Sequence, residues 1–286
     1  MRLIYKNARG LAMDLANTPN MTIYNIEGLG PTELSKSVTQ LAYSNGDAVN
    51  NTARGSRQIL INAALHGGPD NDRIRRSLYA LLGDREPGEI RYIDDEIDVS
   101  CTAYAEAPSL DTWTLTPTIQ FAFYCPAAYF RATAATVADL VQTDPWLQFP
   151  LEIEEGGILI GRETVRLPEN VIENVGQAST GVKIEVQFKN AVEGLRVTNE
   201  SNGNYLFVDY QFKAGDFLTI TTEIGEKGAI LYRDGVNHDI FSAVDYGEEW
   251  LRLERGRNVI RYAQGDGQTN SEIALRISFN ALYWGV

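Results

Sequence analysis

The sequence predicts a mainly β protein with two β-rich domains in series. Three observations lead to this prediction. Apolar and polar side chains alternate with a period of two in many segments, turn residues separate these segments at even intervals, and the apolar spacing of a helix is rare. The 286 residues are enough for two domains, because a domain commonly holds about 100 to 200 residues. We expect an N-terminal domain over residues 1–148 and a C-terminal domain over residues 149–286.

In the N-terminal domain, short apolar segments predict strands at residues 22–26, 57–63, 90–93, 97–104 and 118–124. The domain is therefore expected to be a β-barrel or β-sandwich.

One short helix is expected in this domain, because an apolar stripe recurs at helical spacing at Ile74, Leu78, Leu81 and Leu82. Asp70 or Asn71 is expected to cap its first turn, and Gly83 to end it in a left-handed conformation. A second helical pattern covers residues 134–141, just before the proline-containing segment in which we place the domain boundary.

The C-terminal domain has the clearest alternation. Apolar residues at positions 182, 184, 186 and 188 alternate with polar ones, and residues 273–279 repeat the pattern. Further strands are expected at residues 195–198, 205–208, 217–221, 229–232, 250–253 and 258–262, and turn signals such as Asn202-Gly203 and Asp234-Gly235 separate them. Eight short strands predict a β-sandwich of the jelly-roll type.

Charge and hydropathy argue against several classes of protein. The net charge is −13 and no run of basic residues occurs, so stable nucleic-acid binding is not expected. No signal-peptide pattern is seen at the start and no run of 18 apolar residues occurs, so neither secretion nor a membrane span is expected. Cys101 and Cys125 lack metal-site or redox-motif spacing; we expect reduced thiols, with a disulfide between neighbouring strands as the alternative.

Motifs for catalysis or cofactor binding are missing from the sequence. The two histidines, His66 and His238, both fall in expected turns and read as solvated residues. Gly28-Leu29-Gly30 lacks the third glycine and the following helix of a dinucleotide site, and no G-x-S-x-G motif occurs. We therefore predict no catalytic residue, no metal ligand and no cofactor.

Acidic clusters leave two alternatives open. Residues 94–96 with Asp98 could supply the paired carboxylates of a glycosidase, but a polar turn between two strands is the favoured interpretation. The acidic segments 234–239 and 266–272 could hold calcium, although neither has EF-hand spacing, and ordinary turns are favoured.

The stretch FAFYCPAAYF occupies residues 121–130 and holds five aromatic residues. Its alternation favours a core strand that closes the N-terminal domain. Because no catalytic motif accompanies so many aromatic side chains, we expect part of this surface to be covered by another protein. Tyr129 and Phe130, at the exit of the strand, are the candidate residues for a subunit or partner interface.

Several segments in a fixed order resemble the siphovirus distal tail protein family, abbreviated Dit. In the first half they are GSRQILINAALHGG from Gly55, the helix segment DRIRRSLYALLG, and TIQFAFYCPAAYF. In the second half they are KAGDFLTITTEIGEKGAILYRDG, EEWLRLERGRNVIRY and EIALRISFNALYWGV. The first 54 residues match only loosely, so the resemblance is least informative there.

The resemblance implies a tail-tube-like N-terminal domain and a galectin-like or carbohydrate-module-like C-terminal sandwich. It implies a homo-hexameric ring at the distal tip of the virion tail, made by a chain synthesised in the host cytoplasm. The expected partners are the major tail tube protein, the end of the tape-measure protein and the tail-associated hub protein (Tal), with receptor-binding proteins or side fibres on the C-terminal domain. No reaction is implied. A carbohydrate-binding adhesin of a tail tip is the alternative.

Overall fold

Antiparallel strand pairing organises the protein, as the computed structural model shows, and the mainly β fold predicted from the sequence is confirmed. The structure describes residues 1–40, 45–66, 68–111, 116–140, 142–145, 161–164, 170–247, 249–265 and 273–286. Two units are present: unit 1 holds Met1–Ala134 and Leu282–Val286, and unit 2 holds Ala135–Ala281. The expected boundary between residues 148 and 149 lies outside the described residues.

Strands dominate the secondary structure. In chain order they are β1 (Arg2–Lys6), β2 (Ala12–Asp14), β3 (Met21–Glu27), β4 (Leu34–Gln40), β5 (Asp47–Arg54), β6 (Arg57–Leu65), β7 (Gly88–Ile93), β8 (Asp98–Ala105), β9 (Ser109–Asp111), β10 (Thr118–Cys125), β11 (Phe130–Ala132), β12 (Thr136–Asp139), β13 (Gln142–Pro145), β14 (Gly161–Thr164), β15 (Asn170–Asn174), β16 (Lys183–Phe188), β17 (Val192–Asn199), β18 (Tyr205–Phe212), β19 (Phe217–Thr221), β20 (Gly228–Arg233), β21 (Val236–Asp239), β22 (Val244–Tyr246), β23 (Gly256–Gln264), β24 (Ile273–Phe279) and β25 (Leu282–Tyr283). The helix α1 spans Asn71–Leu82, and short 3-10 turns occur at Gly68–Asp70 and Phe241–Ala243.

Unit 1 is built on one sheet with the strand order β2-β1-β7-β8-β10-β6-β3. Strand β9 pairs with β10, and β11 pairs with both β8 and β25. Alternate side chains of β6 and β8 are buried, and they pack with the buried side of α1 in a single hydrophobic core. Strands β4 and β5 pair only with each other among the described strands and form a separate hairpin.

The predicted helix is confirmed as α1, and Leu78, Leu81 and Leu82 are buried on its apolar stripe. The predicted left-handed end at Gly83 is wrong, and Asp70, one of the two residues expected to cap the first turn, does not cap it. Asp70 ends the 3-10 turn with helical backbone angles, φ −79° and ψ −10°, so it lacks the extended conformation of an N-cap and makes no side-chain cap bond. Gly83 has φ −79° and is not left-handed; its N–H donates to the carbonyl of Tyr79 at 3.0 Å.

Unit 2 is a β-sandwich. One sheet has the order β12-β24-β16-β19-β20-β21 and the other has the order β15-β23-β17-β18-β22. Inward-facing side chains of both sheets, for example Ile184 and Val197, belong to one hydrophobic core. The tight turn between β20 and β21 has positive φ at Asp234 (52°) and Gly235 (83°), as a two-residue hairpin turn requires.

Two secondary-structure predictions at the edges of this sandwich are wrong. The helix expected over residues 134–141 is replaced by β12, because the segment completes the edge of the sheet by pairing with β24. The strand expected at residues 250–253 is a loop in which only Leu253 makes an isolated bridge, to Thr180. Trp250, Leu251 and Leu253 are all buried, so their apolar pattern reflects anchoring of the loop in the core.

An ion pair between a buried carboxylate and a half-buried guanidinium fixes the turn before β19. The carboxylate of Asp216 is 2% exposed and accepts hydrogen bonds from Arg233 Nε at 2.8 Å and from the Lys213 N–H at 2.7 Å. The Arg233 hydrogen bond is the main reason that the pKa of Asp216 lies below its usual value. Asp216 belongs to the KAGDFLTITTEIGEKGAILYRDG segment of the family resemblance, and the ion pair gives this residue a structural role.

We expect Asp216→Asn to lower the free energy of unfolding of unit 2 by about 3 kcal/mol at neutral pH, because it leaves the Arg233 guanidinium without its charged partner. A depressed folded-state pKa stabilises the fold above the unfolded-state pKa, and this contribution is lost as pH falls through the folded-state pKa. Urea titrations across the acidic range should therefore show a weaker acid dependence in the variant than in the wild type.

Asp139→Asn is the matched control. Asp139 pairs with Arg276 on the surface of the same unit, with side chains 57% and 54% exposed, and should contribute less than about 0.5 kcal/mol. Equal effects of the two variants would contradict the structural role of the Asp216 and Arg233 pair.

Candidate assembly surface

The aromatic stretch at residues 121–130 begins as a core strand, as predicted. It forms most of β10, which lies between β8 and β6 in the sheet of unit 1. Phe121 and Phe123 are 1% and 0% exposed, with ring centroids 6.1 Å apart. On the opposite face, the Tyr124 side chain is exposed.

The two candidate interface residues, which follow strand β10, differ in burial. Phe130 is 1% exposed and belongs to the core of unit 1, so it presents no ring surface to a partner. Tyr129 is half-buried, and its ring packs against Trp284 with the centroids 4.6 Å apart. Of the two, Tyr129 stays a candidate contact residue, and whether another subunit covers it remains a prediction.

A buried arginine holds this region together. The guanidinium of Arg57 lies 4.3 Å from the centre of the Phe130 ring and is enclosed by main-chain carbonyl groups. Its Nη1 donates to the carbonyls of Gly28 (2.5 Å) and Gly30 (2.6 Å), and its Nη2 donates to those of Ala128 (2.9 Å) and Trp284 (2.5 Å). We call Arg57 and these four carbonyl groups the Arg57 cluster.

The electrostatics of the Arg57 cluster are unusual for a buried cation. Arg57 is 1% exposed, and within the described ranges no acidic side chain forms an ion pair with it. Burial is the main reason that its pKa is lowered. The dipoles of the four carbonyls therefore replace the hydration of the charge, and the planar fork of the guanidinium can donate to all of them together.

Two glycines allow the segments to approach closely at the Arg57 cluster. Gly28 has φ +86°, and a Cβ atom there would lie 1.8 Å from the carbonyl oxygen of Gln58. A Cβ atom on Gly285 would lie 2.8 Å from the carbonyl oxygen of Leu29. Next to it, the N–H of Val286 donates to the same Leu29 carbonyl at 3.0 Å. The residues at the carboxyl end of the chain are thus fastened to the 28–30 turn.

The hairpin formed by β4 and β5 is the most exposed secondary structure of unit 1. All seven residues of β4 are exposed, and in β5 only Ala48 and Arg54 are half-buried. The hairpin carries apolar side chains in the open: Leu34, Val38 and Val49 are 46%, 52% and 55% exposed. These exposed apolar side chains on a two-stranded hairpin make it a candidate contact surface.

The base of the hairpin contacts the aromatic exit. The guanidinium of Arg54, the last residue of β5, lies 4.5 Å from the centre of the Trp284 ring and donates a hydrogen bond to the carbonyl of Thr32. Trp284 in turn packs against Tyr129 and supplies a carbonyl to Arg57. Trp284 is therefore the point where the β4–β5 hairpin, Tyr129 and the carboxyl end of the chain meet. We call these three parts together the assembly surface.

Sequence reasoning missed Arg57, although a signal for it exists. In β6, Arg57 has the same parity as Ile59 and Ile61, which are fully buried, so strict alternation places its side chain on the core face. A charged residue at such a position indicates a buried cation that needs acceptors.

The acidic residues expected to form a polar turn do so. The Asp94 carboxylate accepts hydrogen bonds from the N–H groups of Glu96 (2.9 Å) and Ile97 (2.8 Å), and Asp98 pairs with Arg91 at 2.5 Å. These hydrogen bonds lower the pKa of both aspartates. A glycosidase acid requires the opposite shift, so the geometry gives no support to the glycosidase alternative.

The histidines do not form a site. His66 is exposed after β6, and His238 is exposed within β21 instead of in the expected turn. Among the residues described, no group of three or more His, Cys, Asp or Glu side chains is placed to hold a metal ion. The acidic segment 266–272 lies outside the described residues. In the part of the chain that is described, no helix is long and apolar enough to cross a membrane.

Comparison with known proteins points to a phage tail. Residues 175–283 match the family model of the siphovirus-type tail component, C-terminal domain. The chain is similar to siphovirus distal tail proteins. This confirms the family resemblance seen in the sequence and supports a structural role in the distal tail, which implies a location in the virion tail.

One solved structure shares the fold, and two others are weaker matches. The crystal structure of the SPP1 Dit (gp 19.1) protein, described as a paradigm of the hub adsorption apparatus in phages that infect Gram-positive bacteria, matches with a TM-score of 0.65 and 15% identity over 98% of both chains. Two structures of the phage P2 baseplate in its activated conformation, with Ca and with Sr, match with TM-scores of 0.48 and 0.47. They are 13% and 14% identical, over 98% and 97% of this chain and 97% of theirs. A search of curated protein sequences gives no match.

We expect Arg57→Met to lower the free energy of unfolding of unit 1 by about 3 kcal/mol, because four carbonyl groups lose their hydrogen-bond donor. Urea unfolding at neutral pH measures the effect. Arg2→Met is the control: Arg2 pairs with Asp14 at the surface, is 57% exposed, and should contribute less than about 0.5 kcal/mol. An Arg57→Met protein as stable as the wild type would show that the cluster is not a major source of stability.

Proposed function

We propose that this protein forms a homo-hexameric ring at the distal end of a siphovirus tail. In this proposal the ring joins the tail tube and the end of the tape-measure protein on one side to the tail-associated hub protein on the other. The observation that carries the proposal is the family match over residues 175–283, in a chain whose whole fold resembles SPP1 Dit. The hub adsorption apparatus for which that relative is described is the kind of assembly that we propose.

The N-terminal domain, residues 1–148 in our division, is proposed to form the ring. A closed ring uses heterologous contacts, in which one patch of a subunit meets a different patch of the next. The hairpin of β4 and β5 supplies one such patch, since it carries exposed Leu34, Val38 and Val49 and pairs with no other described strand. A free two-stranded hairpin is only marginally stable in water, so a neighbouring copy that covers it would stabilise both chains.

The negative charge of the chain fits a ring that surrounds a path for DNA. The net charge of −13 repels phosphate groups, so passing DNA would not be adsorbed. The role requires no chemical reaction, and we propose that the protein is not an enzyme.

The C-terminal domain, residues 149–286 in our division, is proposed to project from the ring and to hold receptor-binding proteins or side fibres. A carbohydrate-binding adhesin is the second candidate function, and one observation favours it. Phe241 and Tyr246 are 41% and 43% exposed and pack against Trp250, which gives an aromatic surface of the kind that binds sugars. A rise in melting temperature with added saccharides would support this candidate.

Light scattering after size-exclusion chromatography tests the ring. We expect a solution mass near six times the 31.7 kDa of the chain, and negative-stain images of the same fraction should show rings with a central hole. A monomeric mass at every accessible concentration, with no rings in the images, would contradict self-assembly.

The hairpin contact has its own test. Val38→Asp places a charge where a neighbouring copy would lie, and we expect it to lower the hexamer fraction at least tenfold at equal protein concentration. Because Val38 is exposed in the single chain, the melting temperature of the monomer should stay unchanged.

Val236→Asp is the matched control, since Val236 is 54% exposed in β21 of the other unit. Equal loss of rings in both variants would point to an effect of charge alone. Unchanged rings in Val38→Asp would remove the hairpin from the interface.

A further inference from the structure

The two cysteines of the chain lie side by side inside unit 1. Cys101 is in β8 and Cys125 is the last residue of β10, and these strands are neighbours in the sheet. Their Sγ atoms are 3.5 Å apart and no disulfide joins them. Cys101 is 6% exposed and Cys125 is fully buried. Because the chain has two cysteines in all, each is the other's only thiol partner within a single molecule.

The surroundings make the two sulfur atoms chemically different. The Cys101 thiol donates a hydrogen bond to the Cys125 sulfur, which raises the pKa of Cys101 and lowers that of Cys125. The positive charge of Arg57 favours the thiolate form at both positions. The lower pKa makes Cys125 the sulfur that an oxidant attacks first, and Cys101, with its sulfur 3.5 Å away, is placed to resolve the product.

We propose that Cys101 and Cys125 form an oxidation site, at which a hydroperoxide converts the two thiols into a disulfide between β8 and β10. This site is independent of the proposed ring, since both sulfur atoms belong to one chain. Arg57 takes part only because its positive charge favours the thiolate form, and it is not changed by the reaction.

The reaction balances in two steps. The Cys125 thiolate attacks hydrogen peroxide; an S–O bond forms, the O–O bond breaks, and hydroxide leaves, which gives a sulfenic acid. The Cys101 sulfur then attacks the sulfenic sulfur; the S–S bond forms, the S–O bond breaks, and the leaving oxygen departs as water with the thiol proton. Two thiols are oxidised and one peroxide is reduced to two water molecules.

The required movement is small. The sulfur atoms must approach from 3.5 Å to about 2.05 Å, the length of a disulfide bond. The bond would close a loop between two neighbouring strands and restrict the unfolded chain. We therefore expect the oxidised protein to unfold at a higher urea concentration than the reduced protein.

The test treats the intact, reduced chain with hydrogen peroxide, stops the reaction with catalase and measures the mass. We expect a loss of two hydrogen atoms, reversed by dithiothreitol. Digestion with a glutamate-specific protease locates the bond, because Glu106 is the only glutamate between the cysteines. Peptides holding Cys101 and Cys125 should then remain linked until they are reduced. Oxygen added at the methionines appears as a separate mass increase on other peptides.

Cys101→Ser and Cys125→Ser are matched controls, and neither should lose two hydrogen atoms. Should either variant fail to fold, the peptide map of the wild-type chain decides the question alone. Three results would overturn the proposal: thiols that stay free in the folded chain but react once urea unfolds it, sulfinic or sulfonic acid without linked peptides, or disulfides that join two chains. An oxidised protein with an unchanged urea midpoint would overturn the stabilising effect.

Discussion

A buried positive charge that pairs with no acidic side chain among the described residues is the constraint on which unit 1 depends. Arg57 can stay charged inside the core only while carbonyl groups surround it, and these carbonyls come from the 28–30 turn, from Ala128 and from Trp284. The three segments are far apart in sequence. One side chain therefore fixes the positions of a turn, the exit of a core strand and the carboxyl end of the chain.

The exposed parts of unit 1 follow from this arrangement. The Trp284 carbonyl accepts a hydrogen bond from Arg57, and the Trp284 ring contacts both Tyr129 and Arg54. Arg54 is the last residue of β5 and lies at the base of the hairpin. The buried cluster thus positions an exposed hairpin without taking part in the contact that we propose for it. In unit 2, the ion pair of Asp216 and Arg233 positions a turn in a similar way.

The sequence predicts those strands in which the alternation of apolar and polar residues matches the alternation of buried and exposed positions. Strands β16, β19 and β24 alternate between core and solvent, so their period identifies them. The same reasoning gave two wrong predictions, a strand at residues 250–253 and a helix where β12 lies, for opposite reasons. Residues 250–253 are apolar because a loop is anchored in the core, and β12 is a strand because the edge of β24 offers hydrogen bonds.

The candidate surface was harder to predict, because its key contacts join residues that are distant in the chain. Tyr129 and Phe130 are neighbours with equal aromatic character, yet Arg57 covers one and Trp284 packs against the other. No local pattern distinguishes them. The sequence placed Arg57 in a predicted strand and in the GSRQILINAALHGG segment of the family resemblance, whereas its carbonyl partners depend on tertiary structure.

Hydrogen exchange of the Val286 amide tests the central claim most directly, because this amide donates to Leu29 beside the Arg57 cluster. Arg57→Lys keeps the charge but loses the planar fork that reaches all four carbonyls. We predict that exchange at Val286 and at the 28–30 turn becomes at least tenfold faster in the variant, while exchange in the strands of unit 2 stays the same. Unchanged protection at Val286 would contradict the claim that Arg57 holds these segments together.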